Sequence, residues 1–138
     1  AILAGVASGV YENVEVACFD ASKELPKEQF HRILLDVPCS NLGVLSARPE
    51  AVYRFTDEYL KELVALQEQI LENASQALLK DGILVYATCS PELEETEEVI
   101  QRFLKKHPDF VAASEPFYSG KNHRDIDRFF AQALRRIS

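Results

Sequence analysis

The stretch TDEYLKELVALQEQILENASQALLKDGILVYATCS, Thr56 to Ser90, decides how this chain folds. Leu60, Leu63, Val64, Ile70, Leu71, Ala74 and Leu78 recur at helical spacing, so one face of a long helix is apolar. Thr56 is placed to cap it, Asp57 and Glu58 suit its positive end, and Gly82 suits its stop. The run Ile83 to Ala87 then reads as a buried strand that delivers Thr88-Cys89-Ser90 to its carboxyl end.

Working outward, a second helix is predicted to open between Pro91 and Glu94. Glu92, Glu94, Glu95, Glu97 and Glu98 favour its N-terminus, Lys105, Lys106 and His107 its C-terminus, and Pro108 ends it. Upstream, Arg32 to Leu35 reads as a strand ending at Asp36, and Val14 to Phe19 as another ending at Asp20. Pro38, Gly43 and Pro49 make Asp36 to Pro49 an ordered loop. Phe110 to Ala113 and Arg128 to Leu134 are weaker strand candidates, and the second also permits a helix. Alternating strand and helix predict one α/β domain on a parallel sheet, with ligands beyond the carboxyl ends of its strands. Asp20, Asp36 and Cys89 fall at such ends, so one site is expected to gather them.

The chain has 138 residues, 47% hydrophobic and 27% charged, which suits a single packed domain. Its net charge of −7 speaks against nucleic-acid binding by this chain alone, because such proteins present a basic face. Three cysteines, an odd number, fit a reducing, cytoplasmic setting better than a disulfide framework. There is no apolar run of membrane-spanning length and no basic leader at Ala1 to Val10. Methionine is absent even from position 1, so the sequence is expected to be a piece of a longer protein.

The sharpest chemistry lies in Asp36-Val37-Pro38-Cys39-Ser40 after one strand and Thr88-Cys89-Ser90-Pro91 after another. C5 of cytosine is a poor nucleophile. A thiolate adding to C6 makes C5 enamine-like, able to take a methyl group, and loss of the C5 proton then expels the thiolate. Such a site needs a cysteine, a group to steady the protonated ring and a base. A position just before a helix N-terminus would give Cys89 thiolate character. Against this stands the plain packing reading. A lone free cysteine is usually core filler, which is the reading for Cys18. Asp20 and Asp36 are also ordinary turn formers, His31 a strand-edge residue, His107 a helix end and His123 part of a polar loop. No His/Cys spacing suggests zinc. Two strand-end cysteines, each followed by serine, are less easily accidental.

These motifs resemble the Nop–Sun family of RNA cytosine-C5 methyltransferases. Ile33 to Gly43 is similar to that family's Asp-Ala-Pro-Cys-Ser-x-x-Gly loop, and Arg48-Pro49-Glu50 to the triplet after it. Leu66-Gln67 with Ile70-Leu71, Thr88-Cys89-Ser90, Glu94-Glu95-Thr96-Glu97 and Asp127 to Ala131 resemble its later motifs. The resemblance implies a Rossmann-like S-adenosylmethionine methyltransferase fold, covered here only in its C-terminal part. It implies Cys89 as the nucleophile on C6, Cys39 as the second cysteine releasing the product, Asp36 beside cofactor and base, and Asp20 on the adenine side of the cofactor. The partner it implies is RNA, small-subunit ribosomal RNA first and transfer RNA second.

Departures from the pattern are Val37 for the usual alanine and Arg128 for glycine. The family's Ala-Pro-Gly-Gly-Lys cofactor loop is absent; the five glycines are scattered. The chain alone is therefore expected to bind S-adenosylmethionine poorly and to need the N-terminal part of the same protein. Two strands of the family's sheet, between the Val14 and Arg32 strands, are expected to be missing, which would leave an edge open to pairing. Two other readings stay open: a DNA cytosine-C5 methyltransferase using Cys39, and a methyltransferase-like module that binds without catalysis.

Overall fold

The computed structural model describes Asn13, Val14, Cys18 and residues 20–23, 30–120 and 127–138. Most of the expected Val14 to Phe19 strand, and His123, lie outside these residues. Cys18 itself is exposed, which corrects its reading as core filler: it belongs to none of the described strands.

Strand β1 (Phe30–Asp36) is followed by a 3-10 turn at Leu42–Val44 and a short helix α1 (Ala51–Arg54). Helix α2 (Asp57–Ala77) leads into β2 (Leu78–Thr88). A 3-10 turn at Leu93–Glu95 precedes α3 (Glu97–Lys106), and β3 (Phe110–Ala112), β4 (Phe117–Tyr118) and β5 (Phe130–Arg136) complete the chain. No helix among the described residues is long and apolar enough to cross a membrane.

Thr56 caps α2 as expected, its hydroxyl accepting from the Tyr59 amide at 3.1 Å. The helix ends sooner than its apolar spacing predicts. Leu78 is already extended, fully buried and opposite Phe30 of β1, so burial within the sheet outweighs another helical turn. Gly82 consequently ends no helix. The pairing jumps from Phe30–Leu78 to Arg32–Ile83, and Asp81 takes a left-handed φ of 63° where the extra residues loop out.

The sheet runs β1-β2-β5-β3, with β4 also on β5. β1 and β2 are parallel, but β5 is antiparallel to β2, β3 and β4, so the expected all-parallel sheet is a mixed one. The reversal follows from the connection. Only residues 119–129 separate β4 from β5, fewer than the dozen or more that a crossover to a parallel strand takes. In β2, Leu84, Tyr86 and Thr88 are buried while Ile83, Val85 and Ala87 are half-buried. Leu84 and Tyr86 join Phe130 and Leu134 of β5, Ile70, Leu71 and Ala74 of α2, and Val99, Ile100 and Phe103 of α3 in one core.

α3 starts later than the acidic run suggests. Thr96 has φ −123° and ψ −104°, which no helix accommodates, so Leu93–Glu95 stands apart as its own turn. Both cysteine loops open at the carboxyl ends of the parallel pair, where Asp36 faces Ala87 and the Val37 amide donates to the Ala87 carbonyl at 3.2 Å.

Candidate active site

Cys39 leaves β1 and Cys89 leaves β2, and the parallel register carries both to the same end of the sheet. Their sulfurs stand 2.7 Å apart as free thiols. Cys39 is buried, and that burial, reinforced by the neighbouring Cys89 thiol, pushes its own thiol up to about 12. Cys89 is half-buried, and its Sγ donates to Asn41 Oδ1 at 3.0 Å.

Asn41 occupies a left-handed conformation with φ 62°, a region that asparagine tolerates better than most residues. The bend turns its side chain back: Nδ2 donates to the Cys39 carbonyl at 3.1 Å while Oδ1 accepts from Cys89. Gly43 closes the other side. Its amide donates to the Cys89 carbonyl at 3.0 Å, and its carbonyl accepts from the Arg128 amide at 2.7 Å. A side chain there would meet the Arg128 carbonyl oxygen at 2.1 Å, so only glycine allows this approach.

Beneath the thiols lies a carboxylate that the sequence hides. Glu95 has no exposed surface, and each cysteine is followed by a serine that binds it. The Ser40 amide donates at 2.8 Å, the Ser40 hydroxyl at 2.6 Å, the Ser90 hydroxyl at 2.5 Å and Gln67 Nε2 at 3.0 Å. Gln67, on α2, also donates to the Pro38 carbonyl at 2.9 Å. The Tyr86 hydroxyl fixes the Glu95 backbone by donating to its carbonyl at 2.9 Å.

The structure thus brings Asp36, Cys39 and Cys89 to one end of the sheet, with Asp36 exposed. Asp20 has a different setting. It accepts from the amide and hydroxyl of Ser22, bonds that hold its carboxyl below the ordinary carboxylate range. That turn is tied to Asn73, which donates to the carbonyls of Ala21 and Lys23, well along α2 from Gln67. One further expectation changes. Cys89 does not sit just before a helix N-terminus, because a 3-10 turn intervenes and α3 begins only at Glu97. Sequence reasoning missed the roles of Asn41, Ser40, Ser90, Gln67 and Glu95. The available signal was their presence inside the quoted motifs.

A cavity of about 300 Å³ is lined by Pro91, Leu93, Glu97, Tyr118, Ser119 and Arg128. Glu97 accepts from the Tyr118 hydroxyl at 2.6 Å, so part of its polar lining is already paired.

The sequence profile of the 16S rRNA methyltransferase RsmB/F family matches residues 7–133. The chain belongs to this family. Among curated relatives, the RsmB/F-family chain is 42% identical over 91 residues to ribosomal RNA small subunit methyltransferase B of Thermus thermophilus, covering 66% of this chain and 23% of that protein. It thus spans about a quarter or less of the curated relatives it matches. Its fold superposes on a methyltransferase homologue from Pyrococcus horikoshii with a TM-score of 0.61 and 27% identity, over 80% of this chain and 40% of that one. NSun6 from the same organism, solved with the S-adenosylmethionine analogue SFG, gives a TM-score of 0.72 at 23% identity over 99% of this chain and 38% of that one. The architecture is that of an S-adenosylmethionine-dependent methyltransferase sheet.

Proposed function

We propose that this RsmB/F-family chain is the nucleophile-bearing part of an enzyme that methylates C5 of cytosine in small-subunit ribosomal RNA. The observation that carries the reading is the asymmetry of two thiols placed in contact from adjacent parallel strands. Cys89, half-buried and oriented by Asn41, is the one a base can reach. Cys39, buried and holding its proton up to about 12, suits a partner that stays a neutral thiol. This division favours Cys89 over the alternative in which Cys39 attacks.

In this reading the Cys89 sulfur bonds to C6, and the electrons of the C5–C6 double bond move into the ring, where Asp36 steadies the protonated nitrogen. When bound, S-adenosylmethionine would supply an electrophilic methyl group for C5 and leave as S-adenosylhomocysteine. Loss of the C5 proton to a base that the rest of the protein is proposed to supply re-forms the double bond and returns the electron pair to Cys89 as thiolate, which the neutral Cys39 thiol beside it steadies by hydrogen bonding. Among the described residues the donor side of the site is only partly present. Asp36 stands at the right strand end, but Gly43 is wedged between two carbonyl oxygens and Gly82 lies against the Leu79 carbonyl, so neither offers an open backbone cradle. The residues described here do not complete a donor site, and the rest of the protein is proposed to supply it.

The test uses the full-length protein with RNA carrying 5-fluorocytosine, whose fluorine blocks the final proton loss. The covalent protein–RNA adduct is expected to disappear in Cys89→Ala and to persist in Cys39→Ala. An adduct lost only in Cys39→Ala, or none with the unmodified protein, overturns the assignment.

A further inference from the structure

A fully buried glutamate is rare, because stripping a carboxylate of water is costly unless several donors replace the hydration shell. Glu95 has four such donors, and their identities are unusual. Two belong to Ser40 and one to Ser90, the residues that directly follow Cys39 and Cys89. The fourth belongs to Gln67, which also grips the Pro38 carbonyl on the other side of Cys39. The two serine hydroxyls are themselves 3.2 Å apart. Every bond to this carboxylate therefore pulls on the backbone next to one cysteine or the other. A turn stabilised for its own sake would be satisfied by its neighbours in sequence. Glu95 instead reaches partners 55 and 28 positions away.

We propose that Glu95 is the positioning residue of the site: its carboxylate clamps the Cys39 and Cys89 loops through Ser40 and Ser90 and so fixes the spacing of the two thiols. It touches neither sulfur, and it acts through the two serines. The clamp sits at the base of the loops while Asn41 and Gly43 close the rim, so removing it frees both loops from below without deleting either thiol. The inference rests on the proposed two-cysteine chemistry for its purpose, but its geometry can be measured without RNA or a methyl donor.

The experiment measures the effective concentration of one thiol at the other. The 138-residue chain, carrying Cys18→Ser, is equilibrated with reduced and oxidised glutathione. Formation of the Cys39–Cys89 disulfide consumes one glutathione disulfide and releases two glutathione thiols, so the equilibrium reports how well the protein holds its thiols together. Glu95→Ala and the double variant Ser40→Ala, Ser90→Ala are expected to lower the effective concentration tenfold or more, with Glu95→Gln falling between. Far-ultraviolet circular dichroism identifies the variants that remain folded, and the serine pair decides the matter where Glu95→Ala does not fold. An effective concentration unchanged within twofold in any folded member of this set overturns the proposal. Failure here leaves the adduct experiment untouched, and failure of the adduct experiment leaves this clamp measurable, so the two outcomes separate.

Discussion

Cys39 is a thiol surrounded by the things that keep a thiol neutral: little water, a second sulfur and a closed loop. Its folded value of about 12 lies above the ordinary 9.0, so between these limits the unfolded chain has lost a proton that the native chain retains. Native protein then binds more protons than unfolded protein, and stability must fall as pH rises. The contribution is complete below about pH 9 and disappears as pH approaches 12. Urea unfolding of the chain and of Cys39→Ala at about pH 8 and about pH 10.5 reads this directly. The stability gap between them is expected to shrink by about 1–2 kcal/mol at the higher pH, at ~1.4 kcal/mol per pH unit. A gap that stays constant would mean that Cys39 ionises no differently in the folded protein. At this scale the meeting of the thiols and Asp36 at one end of the sheet was legible, because each follows or closes a readable strand. Glu95 was not. A glutamate in the run Glu92 to Glu98 reads as part of a solvated helix start, and only contacts with Ser40 and Gln67 turn it inward. Cys18 failed the other way, since an apolar neighbourhood in sequence produced no buried position.

Among the elements, the 3-10 turn at Leu42–Val44 is small and holds a great deal in place. Through Gly43 it joins the loop after β1 to the loop after β2 and to the segment entering β5, using one amide and one carbonyl. A methyl group at this position would lie 2.1 Å from the Arg128 carbonyl oxygen and 2.7 Å from that of Cys89. Both are backbone atoms and cannot rotate away. Gly43→Ala is therefore expected to separate the three loops and to cost about 2–4 kcal/mol in a urea unfolding experiment, from overpacking plus weakened hydrogen bonds. A loss below about 0.5 kcal/mol would show that the loops tolerate the extra atom, well outside the usual cost of overpacking. Periodicity made the long helix and the strand after it readable, and Thr56 marked the start correctly. It misjudged the end because Leu78 satisfies the helical spacing and the sheet equally, and only the presence of β1 decides between them. The direction of β5 was unreadable for a similar reason: strand direction depends on the connection, and the residues before it carry no pattern of their own.

At the scale of the whole molecule, the sheet is well built at its centre and open at β1. Leu34 is 72% exposed and Phe30 48% exposed, and β1 has a strand partner only in β2 among the described residues. Binding a nucleoside donor in an α/β sheet takes backbone amides presented by a glycine-rich turn at a strand's carboxyl end, with an acidic residue for the ribose. Gly43, in the loop after β1, and Gly82, in β2, are sealed by backbone oxygens, and Gly120 follows β4 with φ 66°, in a turn on the far side of β5 from β1. Asp20 Oδ1 accepts from the amide and the hydroxyl of Ser22. Among the described residues, no open glycine turn therefore stands ready for the donor beside the proposed nucleophile. Calorimetric titration of the 138-residue chain with S-adenosylmethionine is expected to give no saturable heat, with any dissociation constant weaker than about 1 mM, equivalent to under about 4 kcal/mol of binding. Micromolar binding would mean that Asp36 and the strand ends suffice to hold the donor. The division of the site between this chain and the rest of the protein would then have to be redrawn.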